Sequence, residues 1–150
     1  MNIEQKIREY LPDIIHMSLA TSADNKPWIC EVHYAYDDEL NFYFFSKEER
    51  RHSKEIAANP VVAGNIVTQH MLNQKIRGVY FEGTAELLED VTEDHIAYKV
   101  YNKRFNADRS VLDEATTETG HKFYKITVDH FYLVDNRESD PGQKYELKWK

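Results

Sequence analysis

An antiparallel β-barrel carrying a few short helices is the fold class that this sequence predicts, and three observations predict it. Apolar and aromatic runs of strand length follow one another mainly in adjacent pairs, without the strict strand-helix alternation of a doubly wound parallel sheet. Turn-forming clusters such as Ser22-Ala23-Asp24-Asn25-Lys26-Pro27 and Asp37-Asp38-Glu39 separate them. A chain of 150 residues, 41% hydrophobic and 13% aromatic, suffices for one core and leaves no room for a second domain.

Each element has its own warrant. Ile3, Ile7, Leu11, Ile14 and Ile15 form an apolar stripe at helical spacing, which Pro12 should kink or end. Met17–Thr21 and Trp28–Tyr36 read as two strands around a loop, and Leu40–Phe45 as a third, aromatic enough for burial on both faces. Ser46-Lys47-Glu48-Glu49 has the Ser-x-x-Glu spacing of a capping box, so a helix over 47–58 is expected, stopped by Asn59-Pro60. Val61–Thr68 and Ile76–Leu88 are the next strands, with a bulge or close backbone approach expected at Gly83. Thr92 is the expected cap of a helix presenting Ile96, Ala97, Val100, Tyr101, Arg104 and Phe105 on one face. Phe123–Val128 and Phe131–Asp135 read as a closing hairpin around Asp129, and the tail from Arg137 as polar and mostly irregular.

Charge and composition narrow the function classes. Nineteen Lys and Arg against 26 Asp and Glu give a net charge of -7, which disfavours wrapping a nucleic acid but permits a small anionic ligand. The charged start, the lack of any apolar run of membrane-spanning length and the single cysteine lead us to expect a cytoplasmic protein with no membrane partner. The seven histidines show no metal-binding spacing, so no metal is expected. In a regular strand Cys30 and His33 point to opposite faces whereas Glu31 and His33 share one, so a Cys-His pair is not expected. Gly-x-Ser-x-Gly, Walker and Gly-x-Gly-x-x-Gly motifs are absent.

The remaining constellation is Phe42-Tyr-Phe-Phe-Ser-Lys-Glu-Glu-Arg-Arg-His-Ser-Lys54, an aromatic strand running into a helix. Lys47, Arg50, Arg51 and Lys54 fall on roughly one face of its first turns, where free amides and the positive dipole end favour a phosphate. Glu48, Glu49 and Glu55 lie among them, so a merely solvated charged face is the competing reading.

These residues also carry a resemblance. Met17–Pro27, the aromatic strand and helix ending Ala58-Asn59-Pro60, and Ile76-Arg77-Gly78-Val79-Tyr80-Phe81-Glu82-Gly83-Thr84-Ala85-Glu86-Leu87 resemble the pyridoxamine 5'-phosphate oxidase-like, FMN-binding split-barrel family. Tyr101-Asn102-Lys103-Arg104-Phe105 and the closing strands are similar to its small bacterial members. The resemblance covers about residues 16 to 137 of a single domain, and it implies a six-stranded antiparallel split barrel that forms a homodimer with FMN at the subunit interface. Counting back from Pro60, Ser46 falls on the family's hydroxyl residue, Arg51 on its phosphate-binding arginine and His52 on its phosphate-binding lysine. His52 can donate to phosphate as a neutral imidazole or, more strongly, as imidazolium, so binding is expected to weaken as pH rises. Gly78 stands where the oxidase has a flavin-touching glutamine, and the C-terminal substrate signature of vitamin B6 oxidases is not recognisable.

The implied cofactor-binding set is Glu31, Val32 and His33 for the ring system, with Phe45, Ser46, Arg50, Arg51, His52, Arg77 and Gly78. The function implied is that of an FMN-dependent oxidoreductase acting on a small molecule, with no catalytic residue identified. The alternative is a non-catalytic dimer that holds flavin or haem, and the deazaflavin F420 is a further cofactor used on this fold.

Overall fold

The computed structural model describes residues 2–136 and 143–150. Helix α1 (Ile3–Tyr10) is capped by Asn2, whose side chain accepts the Gln5 amide at 3.0 Å. At Pro12 it gives way to a 3-10 turn (Leu11–Asp13), because proline cannot supply the next amide. Ile7, Leu11 and Ile14 of the stripe are buried, while Ile15 turns outward.

The strands are β1 (His16–Ala23), β2 (Lys26–His33), β3 (Ala35–Tyr36), β4 (Phe42–Lys47), β5 (Val61–Val67), β6 (Arg77–Leu87), β7 (His121–Asp135) and β8 (Lys144–Lys148). Between them lie helices α2 (Arg51–Ala58), α3 (Ile96–Phe105) and α4 (Ser110–Ala115). One antiparallel sheet runs β2-β1-β5-β6-β7-β4-β3, with β8 on β7. Asp24 and Asn25, with φ of 51° and 60°, make the two-residue turn between β1 and β2, where paired positive φ values suit the twist of a tight hairpin.

The sheet curls until its ends meet. Tyr34, just beyond the β2 edge, packs edge-on against Phe42 of β4 at 5.4 Å, and Phe42 meets Phe81 of β6 at 5.1 Å and Phe131 of β7 at 6.0 Å. All four rings are fully buried, each worth about 1.5–3 kcal/mol of transfer free energy. A smaller core of Tyr43, Ala97, Tyr98, Leu112 and Phe123 forms on the outer face of β4, under α3 and α4.

The antiparallel half-barrel class is as expected, with eight strands in place of six. Four local expectations fail, each for a physical reason. The capping box does not form: β4 keeps pairing with β7 through Lys47↔His121, so Ser46 is a strand residue and the helix waits until Arg51. Lys47 is therefore not on a helical face with Arg51 and Lys54. Thr92 does not cap α3; its carbonyl accepts the His95 amide, and His95 Nδ1 takes the capping bond from Ala97.

No hairpin turns at Asp129. β7 is continuous, and its pairing with β6 shifts between Glu82 and Gly83, which leaves Asp129 as the extra residue of a bulge. Up to Val128 the even-numbered residues Tyr124, Ile126 and Val128 face the main core; after it Phe131 and Leu133 do. A one-residue bulge reverses face parity in this way, and in sequence the reversal imitates two strands. The tail, expected to be mostly irregular, contains β8, whose Tyr145 and Leu147, with Trp149 just beyond it, alternate inward; residues 137–142 of that expectation lie outside the described residues.

Gly83 is where β6 approaches most closely. A Cβ there would lie 2.2 Å from the Thr127 carbonyl oxygen, a backbone atom that cannot move without breaking the sheet. Gly83→Ala is therefore expected to destabilise the protein by roughly 1–3 kcal/mol, the usual cost of overpacking, read as a lower urea midpoint at unchanged slope.

Candidate functional site

The corner where β4 hands over to α2 concentrates the candidate residues. Arg50 N–H bonds to the Lys47 carbonyl at 3.2 Å, closing a turn, and Arg50 then serves as N-cap without any side-chain hydrogen bond to the first turn. The opening amides of α2 are left uncapped. Arg50 projects outward, and its guanidinium makes no hydrogen bond or ion pair among the described residues.

Arg51 is held on two sides. Its Nε–H donates to Glu55 Oε2 at 3.1 Å, and its guanidinium lies 4.2 Å from the centroid of the Trp28 ring on β2. Glu55 is almost fully buried and accepts a second bond, from Thr21 Oγ1 on β1 at 2.9 Å. The two terminal nitrogens of Arg51 have no partner among the described residues, and the side chain is 48% exposed. A planar fork with its near nitrogen anchored and its far nitrogens free matches two oxygens of a phosphate.

His52 turns inward from this corner. It is only 8% exposed, and its Nε2 lies 2.7 Å from the hydroxyl of the equally buried Ser46. Burial, then the nearby Arg50 charge, push its pKa below the ordinary 6.5, against a smaller upward pull from Glu55. With its pKa lowered, the ring is bonded to Ser46 as a neutral imidazole near neutral pH. A tautomer with hydrogen on Nε2 donates to Ser46 and frees the serine proton for an outside acceptor.

The other candidates sit elsewhere. On β2, Glu31 and His33 face outward together and Cys30 and Val32 inward, as strand parity required. Glu31 accepts the Ser18 hydroxyl, and His33 meets the Phe105 ring edge-on at 5.6 Å. Burial first, then Glu31 and Glu55, push the Cys30 thiol up to about 11, so it stays protonated and unreactive. Phe45 points away from Ser46, into the small core beside Phe123 at 4.7 Å and His121 at 5.1 Å.

Arg77 and Gly78 are far from this corner within one chain. Ser46 pairs with Lys122 and Arg77 with Asp135, at opposite ends of β7, on the order of 40 Å of strand at about 3.3 Å per residue. Arg77 is 3.7 Å from Asp135 and lies over the Tyr10 ring at 4.7 Å. A cavity of about 600 Å³ lies between the 3-10 turn, β3 and α3, with Arg104 and Tyr36 in its wall and none of the candidate residues. Among the described residues no group of three His, Cys, Asp or Glu side chains is placed to hold a metal, and no helix is long and apolar enough to cross a membrane.

Sequence reasoning missed Trp28, Thr21 and Glu55. Glu55 was legible as an i,i+4 partner of Arg51, but the contacts to β1 and β2 join residues far apart in the chain, Thr21 with Glu55 and Trp28 with Arg51, and leave no local pattern.

A curled antiparallel half-barrel with a basic strand-to-helix corner defines a class of small split barrels, and the comparisons with known proteins make the assignment specific. The profile of the pyridoxamine 5'-phosphate oxidase family matches residues 3–135, and the chain belongs to that family. It is 31% identical over 133 residues to the UPF0306 protein plu4501 of Photorhabdus laumondii, covering 88% of this chain and 87% of that one. Among solved structures, an FAD-binding protein from Mesorhizobium loti superposes with a TM-score of 0.62 at 25% identity, over 85% of this chain and 89% of that one. The haem-binding protein of Mycobacterium smegmatis superposes at 0.70 with 15% identity, over 94% of this chain and 55% of that one, so this chain spans about half its length.

The His52 environment predicts a pH signature. An unfolded ring takes up its proton near 6.5, whereas the folded ring resists until the solution is more acid. Between those values the unfolded chain binds more protons, so this group's contribution to stability falls as pH is lowered through 6.5 and is level above it. Urea midpoints at a series of pH values should show that part of the slope in the wild-type protein and lose it in His52→Gln.

Proposed function

We propose that this protein is a flavoprotein that binds FMN and uses it as an oxidoreductase on a small molecule. The observation that carries the reading is the Arg51 fork, anchored through Nε and against Trp28, with both terminal nitrogens free beside the uncapped start of α2. A phosphate monoester carries about -1.5 to -2 charges and suits those donors together with Arg50 and the Ser46 hydroxyl. His52 then holds Ser46 from behind. Glu31, Val32 and His33 would meet the ring system along the outer edge of β2. When bound, the flavin supplies the hydride and electron chemistry, and the protein supplies position and electrostatics.

The cavity of about 600 Å³ is lined by other residues, Arg51 is 48% exposed, and a second copy is what would cover the proposed site. A homodimer also accounts for Arg77 and Gly78, which reach a shared site only from the partner. FMN has about thirty heavy atoms, and ~0.3 kcal/mol per atom gives ~9 kcal/mol, a sub-micromolar dissociation constant. The FAD-binding neighbour supports the flavin reading; the haem-binding neighbour supports the alternative.

The purified protein should be yellow, and mass spectrometry of the small molecule released on denaturation should find FMN. A Soret band in place of a flavin spectrum would establish haem instead, and a flavin band that no reductant bleaches would establish a carrier. Arg51→Ala should weaken FMN binding by the ~1.5–3 kcal/mol of a charge-assisted bond, about ten- to a hundredfold, with the circular dichroism spectrum and dimer mass unchanged. Unchanged FMN affinity in that variant would show that the phosphate binds elsewhere.

A further inference from the structure

We infer that Glu55 is a positioning residue, which aims the Arg51 fork at the phosphate without touching the ligand; this rests on the flavin phosphate reading above. An i,i+4 Arg-Glu pair on an exposed helix is ordinarily a weak surface contact. This one differs in two respects. Glu55 is almost fully buried, and its second oxygen is held by the Thr21 hydroxyl at 2.9 Å, so the carboxylate is fixed by β1 as well as by its own helix. Its first partner, Arg51 Nε at 3.1 Å, belongs to a guanidinium whose face is already occupied by Trp28.

Three elements thus converge on one side chain: β1 through Thr21 and Glu55, β2 through Trp28, and α2 through the backbone of Arg51. The anchored guanidinium has one Nε–H pointed inward and its remaining donors pointed outward. A free arginine would lose several rotatable bonds on binding phosphate; a held one has lost them on folding. The same carboxylate is also a negative charge near a bound dianion. Electrostatics alone therefore predicts that neutralising Glu55 tightens phosphate binding, whereas positioning predicts the opposite.

The deciding experiment compares FMN with riboflavin, which has the same ring and ribityl chain without the phosphate, on the full-length protein by fluorescence titration. In Glu55→Gln the FMN dissociation constant is expected to rise roughly tenfold while that of riboflavin stays within about twofold. Thr21→Val, which leaves both charges in place and frees Glu55, should move the FMN to riboflavin ratio the same way by a smaller factor. If Glu55→Gln does not fold, Thr21→Val decides on the same ratio. Unchanged or tighter FMN binding in the variants overturns the inference, as does a parallel loss for both flavins, which marks a purely structural prop. Failure of the phosphate reading itself appears in the wild-type protein, as equal affinity for FMN and riboflavin, and that outcome overturns both.

Discussion

The contact on which the molecule depends is the backbone approach of β6 to β7 at Gly83, where the pairing slips by one residue and Asp129 is extruded. A bulge sharpens twist and bends the strand that carries it. Here it lets one fifteen-residue strand serve two neighbours in turn: His121–Ile126 pairs with β4, and His130–Val134 with β8. Without the slip, Phe131 and Leu133 would face outward, and the ring cluster around Phe42 would lose its β7 member. The bulge adds to the ordinary twist of the strands in curling the sheet toward the contact of Tyr34 with Phe42.

The same strand determines where the candidate site lies. Because β4 is paired along β7 as far as Lys47, Ser46 stays in the sheet and α2 begins four residues later than a capping box would place it. That delay brings His52 down onto Ser46 and turns it inward, while Arg51 remains at the surface against Trp28. His52 is thus a buried support with a lowered pKa, and in the proposed site the cationic contacts to phosphate would fall to Arg50 and Arg51. His52 holds the Ser46 hydroxyl from within the protein, at 2.7 Å.

The strap at the C-terminus shows how weakly polar segments are recruited to this fold. Trp149 packs edge-on against Phe131 at 5.9 Å, donates from its indole nitrogen to the Glu39 carbonyl at 2.9 Å, and lies under Arg8 of α1. The last strand thereby ties the first helix and the turn before β4 to the main core. Its alternation of Lys and Glu with Tyr, Leu and Trp is a strand pattern, but one too short and too charged to stand out beside the polar residues that precede it.

What the sequence by itself determined was the set of local choices that neighbouring residues decide: the helix ending at Pro12, the stop at Asn59-Pro60, the opposite faces of Cys30 and His33, the irregularity at Gly83, and the antiparallel barrel class that those strands imply. Backbone geometry and side-chain period operate over a few residues, so they are visible in a single chain read in order. Only the tertiary structure decided which strand β4 would extend along, that Asp129 was a bulge and not a turn, and that Thr21, Trp28 and Glu55 would surround Arg51. Those outcomes depend on pairings between distant segments, where burial and cross-strand contact outweigh the local preference of any one residue for a cap or a turn.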